Sequence, residues 1–589
     1  MIALALQIPV RISSPLSSRR NHLPAPLSPV DLGLPDQFRE WRPEQWHAIE
    51  TIVDSPKRFV AICAPTGAGK SLLSFGAAML SGKRTAFLTA TKPLQDQIQR
   101  DFSSISTDIR GMANYPCVAW RELEVPESTN VSEAPCQCGY KCPWRTNGCT
   151  YFDLYRQAQA ADILVTNYQC WMYDDAKGKE GFHIDPVVYA AGEPDDPNDH
   201  RIPVRMLICD EFHAAHDQLS KFLGVDLSRR ECLGMRLDWP DSGQSWEDWR
   251  DWASAWLSPV NDRIEDAERK LKLSRNGGGR SWSKELRHLR DIKRKLQKLA
   301  GMKAEDEWIL NEEGAEGRSM QSVRFDPLSP ARYAESALWR GVEKVVLVSA
   351  TVRPKTAELL GIRSEELEFV EYDSSFDKRR RPVIYVPTVR MSYRTEGDDL
   401  LMREWLRLLD RLIEARLEWK GIIHSVSYKR AKFILDNSRW AGHMLTHNSR
   451  DREQKIAAFR AADPPCVLVS PSVDTGFDFP QDSARWQVIA KIPFASVQDK
   501  VIKVRQERDK EYGLYLAAQT LVQATGRIVR GESDWGESLI LDGQAEWFVG
   551  KVRKFLPRWW LEAYRWAEDG LPEFIGREFG DVDAGARKD

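Results

Sequence analysis

The chain has 589 residues, of which 42% are hydrophobic and 29% are charged. This is the ordinary balance of a globular protein, and the length is enough for several domains of roughly 100–200 residues each. No stretch approaches the about 20 consecutive apolar residues that cross a bilayer, so the sequence predicts no membrane-spanning segment. The formal net charge of −2 excludes binding through a global excess of basic residues, but it leaves room for a local basic channel.

Residues 1–30 are rich in Pro and Ser. Such a composition buries too little apolar surface to order a segment, so we predict a poorly ordered tail. The first apolar run is short and lacks a basic segment before it, which differs from the pattern of a secretory signal. We therefore expect an intracellular protein in a reducing compartment.

Short apolar runs recur along the chain, separated by segments of helix length. Near-continuous apolar runs that alternate with helices are typical of parallel sheets covered on both faces. The runs form two series, which predict two α/β domains. The first series comprises residues 58–64, 84–90, 162–167, 205–210 and 344–350, and the second comprises 421–426, 466–471, 487–494 and 538–542.

Two stretches interrupt this pattern. Residues 106–160 are rich in cysteine and in turn-prone residues, whereas residues 220–325 are predicted to form a helical hairpin. Trp249, Trp252 and Trp256 recur there at helical spacing, which favours core packing over stacking on unpaired bases. The basic run 287–298 is equally compatible with a nucleic-acid path and with a solvated helix face. The apolar positions of the hairpin include Ile264, Ala267, Leu271, Leu286, Leu289, Ile292, Leu296 and Leu299.

Residues 64–71 read APTGAGKS and lie between a predicted strand and a predicted helix, which is the setting of a phosphate-binding loop. Two glycines allow the backbone to curl so that its amides face phosphate oxygens, and the following helix N-terminus adds partial positive charge. Lys70 is expected to reach the β and γ phosphates and Ser71 to ligate Mg²⁺, while Ala64 replaces the glycine that opens the strict pattern. The predicted loop comprises Ala64, Pro65, Thr66, Gly67, Ala68, Gly69, Lys70 and Ser71.

Two adjacent carboxylates follow an apolar run in LICDEFHAAH (207–216). We expect Asp210 to hold Mg²⁺ and Glu211 to polarise the attacking water, because a carboxylate that binds the metal is a poor base. His213 lies two residues further on, where it could couple the nucleotide to the next domain.

Paired arginines occur in LVQATGRIVR (521–530). Arg527 and Arg530 are three residues apart, which predicts one helical face, and Gln523 lies one turn earlier on that face. Arginines that reach a γ-phosphate stabilise the charge of phosphoryl transfer. Since the phosphate-binding loop belongs to the other α/β domain, hydrolysis would require the two domains to close on ATP.

These motifs, in this order, resemble those of superfamily 2 helicases of the XPD/DinG-like iron–sulfur branch. The resemblance assigns Gln45, in FREWRPEQ (38–45), to adenine recognition, and it assigns Asp474, Gly476 and Asp478, in SPSVDTGFDFP (470–480), to the link between DNA and ATP. It implies the α/β fold class, with two RecA-like parallel-sheet domains of the P-loop NTPase type. The other matching segments are TATKPLQDQ (89–97), SAT (349–351), SSFDKRRRPV (374–383), KIPF (491–494) and QATGRIVR (523–530).

Five cysteines cluster in the first interruption, and clustered intracellular cysteines indicate metal ligands before disulfides. The resemblance implies a [4Fe–4S] cluster, which four thiolates can hold. A zinc site and a metal-free fold remain open. By the spacing of the relatives, the ligands are Cys117, Cys136, Cys142 and Cys149, with Cys138 as the alternative to Cys136.

The resemblance also implies the domain organisation. An iron–sulfur insertion and a helical arch-like insertion interrupt the first RecA-like domain. We predict a tail (1–30), the first RecA-like domain (31–105, 161–219 and 326–350), the iron–sulfur domain (106–160), the arch-like domain (220–325), the second RecA-like domain (351–560) and a C-terminal tail (561–589).

Together these features predict an ATP-dependent DNA helicase that hydrolyses ATP with Mg²⁺ and translocates on single-stranded DNA. The resemblance implies 5′→3′ polarity and unwinding of DNA–DNA or RNA–DNA duplexes. We expect a monomer in the cytoplasm that associates with the nucleoid when it is active. Two alternatives remain, namely a translocase that remodels protein–DNA complexes without strand separation and a nucleic-acid-binding module with a decayed motor.

Overall fold

The computed structural model describes residues 27–121, 126–138, 142–174, 181–184, 203–241, 243–273, 279–313, 321–448, 450–471, 478–496, 499–567 and 570–580. Most of the predicted N-terminal tail lies outside these ranges. So do Asp474, Gly476 and the side chain of Cys138.

The first sheet is parallel, and its strands follow the order β10-β1-β9-β5-β2-β4-β3. Strand β1 is buried along its whole length because helices cover both faces of the sheet. Val60 and Ile62 pack into one apolar core, whereas Ala61 and Cys63 pack into the core on the opposite face. The strands are β1 (Phe59–Cys63), β2 (Thr85–Thr89), β3 (Thr107–Asp108), β4 (Ile163–Asn167), β5 (Met206–Asp210), β9 (Lys344–Ser349) and β10 (Leu367–Glu371).

The helices that flank this sheet are short, and each contributes buried residues to the cores on the sheet's two faces. Helix α2 begins directly after Gly69 and ends directly before Gly82, and both glycines have left-handed backbone angles, with φ of 72° and 59°. Glycine adopts this conformation without the steric cost that a β-carbon would add. The helices are α1 (Gln45–Asp54), α2 (Lys70–Ser81), α3 (Lys92–Phe102), α4 (Thr150–Ala160), α5 (Tyr168–Asp174), α6 (Ala215–Leu223) and α10 (Pro354–Glu358).

The second sheet is also parallel, with the order β13-β14-β12-β15-β16-β11-β17. Its strands are β11 (Val383–Tyr385), β12 (Gly421–His424), β13 (Met444–Thr446), β14 (Val467–Ser470), β15 (Trp486–Ile489), β16 (Glu537–Ile540) and β17 (Tyr564–Trp566). Its helices are α11 (Asp399–Glu414), α12 (Tyr428–Asn437), α13 (Arg452–Ala461), α14 (Lys500–Arg508), α15 (Tyr512–Thr525), α16 (Ala545–Val552) and α17 (Arg558–Leu561). The two sheets confirm the predicted α/β class with two RecA-like domains.

A separate unit is inserted between α6 and β9. It contains α7 (Arg229–Gly234) and the long helices α8 (Trp246–Leu273) and α9 (Gly279–Ala300), which pack against each other. Trp249 is fully buried in the apolar core of this unit, in agreement with the core interpretation of the tryptophan stripe. The sequence did not predict its antiparallel sheet of β6 (Val225–Ser228), β8 (Ser322–Pro327) and β7 (Trp308–Glu313). Within the described ranges no helix has the length and apolar character to cross a membrane.

Two of the predicted boundaries differ from the structure. Strand β10 pairs with β1, so the first sheet extends past residue 350 to residue 371. The predicted C-terminal tail also contributes structure, because β17 pairs with β11 and Phe574, Ile575 and Phe579 are buried in the second domain. The second domain therefore continues to at least residue 579.

A buried ion pair lies in the second domain. Arg416 and Glu537 are both 0% exposed, and the guanidinium of Arg416 donates to the Glu537 carboxylate and, at 2.9 Å, to the carbonyl of Leu412. We expect Arg416→Met to lower the free energy of unfolding by about 3–5 kcal/mol, because Glu537 would remain buried without its partner. Urea denaturation measures this loss. Arg407→Met, at an exposed position of α11, is the control and should stay within about 0.5 kcal/mol of the native protein.

Candidate active site

The predicted phosphate-binding loop lies at the carboxyl end of β1. Gly67 and Gly69 have left-handed φ values of 81° and 72°, and helix α2 begins at the next residue, Lys70. The first amides of a helix have no partner within it and carry the positive end of its dipole. The loop and the start of α2 thus present the groups that bind a phosphate.

Two side chains at the start of α1 hold the backbone of this loop, namely those of Arg42, just before the helix, and Gln45, its first residue. Gln45 is 2% exposed, and its Nε2 donates to the carbonyls of Ala68 at 2.8 Å and Gly69 at 3.1 Å. The guanidinium of Arg42 donates to the carbonyl of Gly67. Arg42 was not identified from the sequence, although it lies only three residues before Gln45.

The two predicted carboxylates lie close to Lys70. Asp210 ends β5, and its carbonyl accepts a hydrogen bond of 2.9 Å from the hydroxyl of Tyr168. Burial, together with the neighbouring charge of Glu211, raises the pKa of Asp210 above its ordinary value, and the charge of Lys70 opposes this shift. A buried carboxylate beside an ammonium group is a suitable ligand for a hard divalent cation.

Glu211 has a left-handed backbone, with φ of 48°, which turns the chain away from the strand. Burial alone would raise the pKa of its carboxyl group. The hydrogen bond from His213 and the positive charges of Lys70 and Arg530 outweigh burial and hold this pKa below its ordinary value. Glu211 therefore remains ionised and can accept a hydrogen bond from water.

A chain of polar contacts runs from Glu211 to the second domain. Nδ1 of His213 lies 3.2 Å from Oε2 of Glu211 and 2.9 Å from the hydroxyl of Ser349. Nε2 of Gln523 in α15 lies 3.4 Å from the same nitrogen of His213 and donates to the hydroxyl of Thr351 at 3.1 Å. Three segments that are far apart in sequence are thus joined across the boundary between the sheets.

The paired arginines follow α15 and do not lie on it. The helix ends at Thr525, so the prediction that Arg527 and Arg530 share a helical face is wrong. Both side chains nevertheless approach Asp478, since Nη1 of Arg527 lies 3.7 Å from its carboxylate and Arg530 forms an ion pair with it. The two arginines converge because the chain turns after the helix and both side chains reach a common acidic partner.

This arginine segment contacts the phosphate-binding loop. A β-carbon added to Gly526 would lie 3.1 Å from Oγ1 of Thr66. A β-carbon added to Gly67 would lie 3.1 Å from the carbonyl oxygen of Arg530. The first and second domains therefore meet at the loop itself.

The predicted metal ligands of the cysteine-rich segment share one cavity. Cys117, Cys136, Cys142 and Cys149 line it together with Arg145, and all but Cys142 are buried. Burial and the three neighbouring thiols raise the pKa of Cys136 to about 11. Across the described ranges, no three His, Cys, Asp or Glu side chains are arranged to hold a metal ion. The structure thus brings the four thiols together without forming a ligand cage.

Helix α9 of the inserted unit packs on the same segment. The guanidinium of Arg290 donates to the carbonyl of Gln137 at 2.7 Å, and it also contacts Glu268. Arg287 lies 4.0 Å from Glu133. Several cations of the basic run 287–298 are therefore used in contacts within the protein.

The fold and this site define a two-domain motor protein of the P-loop type. One domain supplies a phosphate-binding loop with a carboxylate pair, and the other supplies arginines that approach the loop from the opposite side. The arrangement can bind a nucleotide with its metal ion and stabilise charge on a terminal phosphate.

Comparisons with known proteins agree with this class. Residues 420–563 match the family described as helicase C-terminal domain, and residues 38–234 match that of the type III restriction enzyme, res subunit. A probable ATP-dependent helicase of Methanocaldococcus jannaschii is 22% identical over 85% of this chain and 90% of that protein. The ATP-dependent DNA helicase DinG of Escherichia coli is 24% identical over 35% of this chain and 32% of its own length.

Solved structures show the same fold. A structure titled XPD helicase superposes with a TM-score of 0.58 and 14% identity, covering 89% of this chain and 98% of that one. The structure of Xpd4 from S. tokodaii superposes with a TM-score of 0.53 and 13% identity, covering 89% and 100%. These matches support the resemblance to superfamily 2 helicases of the XPD/DinG-like branch that the sequence predicted.

Proposed function

We propose that this protein is an ATP-dependent DNA helicase that moves 5′→3′ on single-stranded DNA and separates duplexes ahead of it. The observation that carries this proposal is the polar network of His213, Ser349, Thr351 and Gln523, which joins the segment of Glu211 to the second domain. It links the residue that would activate water to the second domain. Hydrolysis and domain movement would therefore change together.

Within the first domain, the phosphate-binding loop and Lys70 hold the phosphates of ATP. Ser71 and Asp210 supply oxygen ligands for Mg²⁺, which neutralises charge on the phosphates when it is bound. Glu211 orients and polarises the attacking water. The environments of the two acidic residues support this division of roles, since Asp210 is buried near Lys70 and the charges of His213, Lys70 and Arg530 lower the pKa of Glu211.

The second domain completes the site. Arg527 and Arg530 approach the γ-phosphate, and Asp478 keeps both guanidinium groups in place until ATP attracts them. Gln523 contacts the hydroxyl of Thr351, which places α15 against the first domain. ATP that binds between the domains would thus favour their closure.

The names of the relatives support DNA as the track, because DinG is described as an ATP-dependent DNA helicase. The match to DinG covers 32% of that protein, so substrate and polarity are part of the proposal. The alternative is a translocase that does not separate strands. It would have the same ATP site and would differ only in what its movement does to a duplex. It is decided by an unwinding measurement.

We further propose that Cys117, Cys136, Cys142 and Cys149 hold a [4Fe–4S] cluster, with Cys138 as the alternative to Cys136. Four thiols on one cavity are the donor set that such a cluster requires. When bound, the cluster would crosslink the segment that α9 contacts through Arg290. Its role here would be to stiffen this cysteine-rich segment against α9.

The arginines give a direct test of the hydrolysis mechanism. We expect Arg527→Ala and Arg530→Ala each to lower the DNA-stimulated kcat by roughly 10³-fold, because their charge is needed most as phosphoryl transfer proceeds. The Kd of ATP should change far less, since the loop keeps its phosphate contacts. Steady-state hydrolysis and nucleotide titration measure the two quantities.

Arg403→Ala is the matched control, because Arg403 lies on the surface of the second domain in an exposed pair with Asp399. This variant should hydrolyse ATP at the native rate. An arginine variant with a raised KM and an unchanged kcat would identify that arginine as a ground-state binder, contrary to the proposed role.

A further inference from the structure

The segment between the two parallel sheets contains SSFDKRRRPV (374–383), to which the mechanism above assigns no role. Phe376 lies in it, after β10 of the first sheet and before β11 of the second. Its side chain is only 5% exposed although it belongs to a connection between domains. A buried ring at this position must be packed against one domain or both.

One side of the ring packs into the second domain. Phe376 shares an apolar cluster with Ile422, Leu468 and Ile528. Its carbonyl accepts a hydrogen bond of 3.3 Å from Arg381, whose guanidinium also donates to the carbonyl of Trp559 at 2.7 Å. The ring is therefore anchored to the second domain and would move with it.

The ring also contacts the phosphate-binding loop of the first domain. A β-carbon added to Gly67 would collide with Cζ of Phe376 and would lie 2.5 Å from its Cε2. The ring thus packs on the backbone of Gly67 more closely than any side chain there would allow. The carbonyl oxygen of Arg530 approaches the same point.

We infer that Phe376 is a positioning residue for ATP hydrolysis, which holds the phosphate-binding loop in register with the Arg527–Arg530 segment. The contact buries apolar surface only while the two domains lie together, so it favours their closed arrangement. Binding of nucleic acid across the domains would then be transmitted to the loop through the ring. This inference rests on the proposed function, in which the domains close on ATP.

The test compares stimulated with unstimulated hydrolysis in Phe376→Ala. We expect the single-stranded-DNA-stimulated kcat to fall roughly tenfold, the range over which coupling between sites is modulated by single residues. The unstimulated rate should fall by a smaller factor, because the closed arrangement that the ring stabilises is populated mainly when DNA is bound, and the Kd of ADP should stay within about twofold of its native value. Simple loss of folded protein would lower both rates equally.

Phe376→Leu keeps an apolar but shorter side chain, so it should fold normally and lose stimulation by about two- to threefold. The stimulation measured for Phe376→Leu tests the inference even if the alanine variant does not fold. The matched controls are Phe459→Ala and Phe459→Leu, since Phe459 is fully buried in the same cluster. Both should keep the native ratio of stimulated to unstimulated rates.

Equal losses at Phe376 and Phe459 would overturn the inference, because they would show a general effect of loosening the cluster. Native stimulation in both Phe376 variants would overturn it as well. A native protein that DNA does not stimulate would instead contradict the proposed function. The two failures are therefore distinguishable.

Discussion

Lys70→Ala and Glu211→Gln should each abolish DNA-stimulated ATP hydrolysis, with a loss of about 10³-fold or more. Lys70 supplies the charge that faces the phosphates, and Glu211 is the residue held ionised beside His213. The two variants should differ in binding. Glu211→Gln should still bind ATP, because the loop, Lys70 and Asp210 remain, whereas Lys70→Ala should bind it weakly.

The matched controls are Lys83→Ala and Glu343→Gln, which remove the same two residue types from an exposed pair 3.2 Å apart. Lys83 and Glu343 lie just before β2 and β9, at the amino ends of these parallel strands. The phosphate-binding loop lies at the opposite, carboxyl ends. Both variants should hydrolyse ATP at the native rate. Near-native turnover by Lys70→Ala or Glu211→Gln would contradict the roles assigned to these residues.

Protein purified without oxygen should be brown and should carry close to four irons per chain, because four thiols share one cavity. Cys117→Ser, Cys142→Ser and Cys149→Ser should each lose the colour and impair unwinding. Much of the ATPase should survive, since the phosphate-binding loop lies in the sheet domain and not in this segment. Iron analysis, visible absorption and hydrolysis rates measure the three effects.

Cys136→Ser and Cys138→Ser separate the two possible fourth ligands, because one variant should lose the colour and the other should keep it. Cys170→Ser, outside the cavity, is the control and should stay brown. Colourless protein with one zinc would replace the cluster by a structural zinc site. Colourless, metal-free protein that still unwinds DNA would refute the assignment of a metal site.

The sheets were largely predictable because nine strands are near-continuous apolar runs. Strand β4 (ILVTN) and strand β9 (KVVLVS) are examples, and burial on both faces leaves little ambiguity about them. Strand β10 was missed because it reads LEFVE and is identified as a strand only by its pairing with β1. The antiparallel strands of the inserted unit carry charged residues such as Asp226 and Arg324 between their buried positions, so they do not form continuous apolar runs.

The sequence predicted the candidate residues of the ATP site and their order along the chain, but it did not predict the contacts between them. The position of Gln45 against the loop carbonyls depends on how α1 packs beside α2, which spacing does not encode. The ion pairs of Arg527 and Arg530 with Asp478 required the chain to leave the helix at Gly526. Phe376 lies in a segment that matched the helicase family, but its contact with Gly67 was not predictable, because a single aromatic residue in a connection has no periodicity.

Unwinding of tailed duplexes tests the central claim most directly. Native protein, Mg²⁺ and ATP are mixed with labelled duplexes that carry a 5′ tail, a 3′ tail or an RNA strand, with Glu211→Gln as the inactive control. We expect ATP-dependent separation of the 5′-tailed duplex, little separation of the 3′-tailed duplex, and none with Glu211→Gln. DNA-stimulated hydrolysis without separation of any duplex would contradict the account and would identify a translocase that does not unwind.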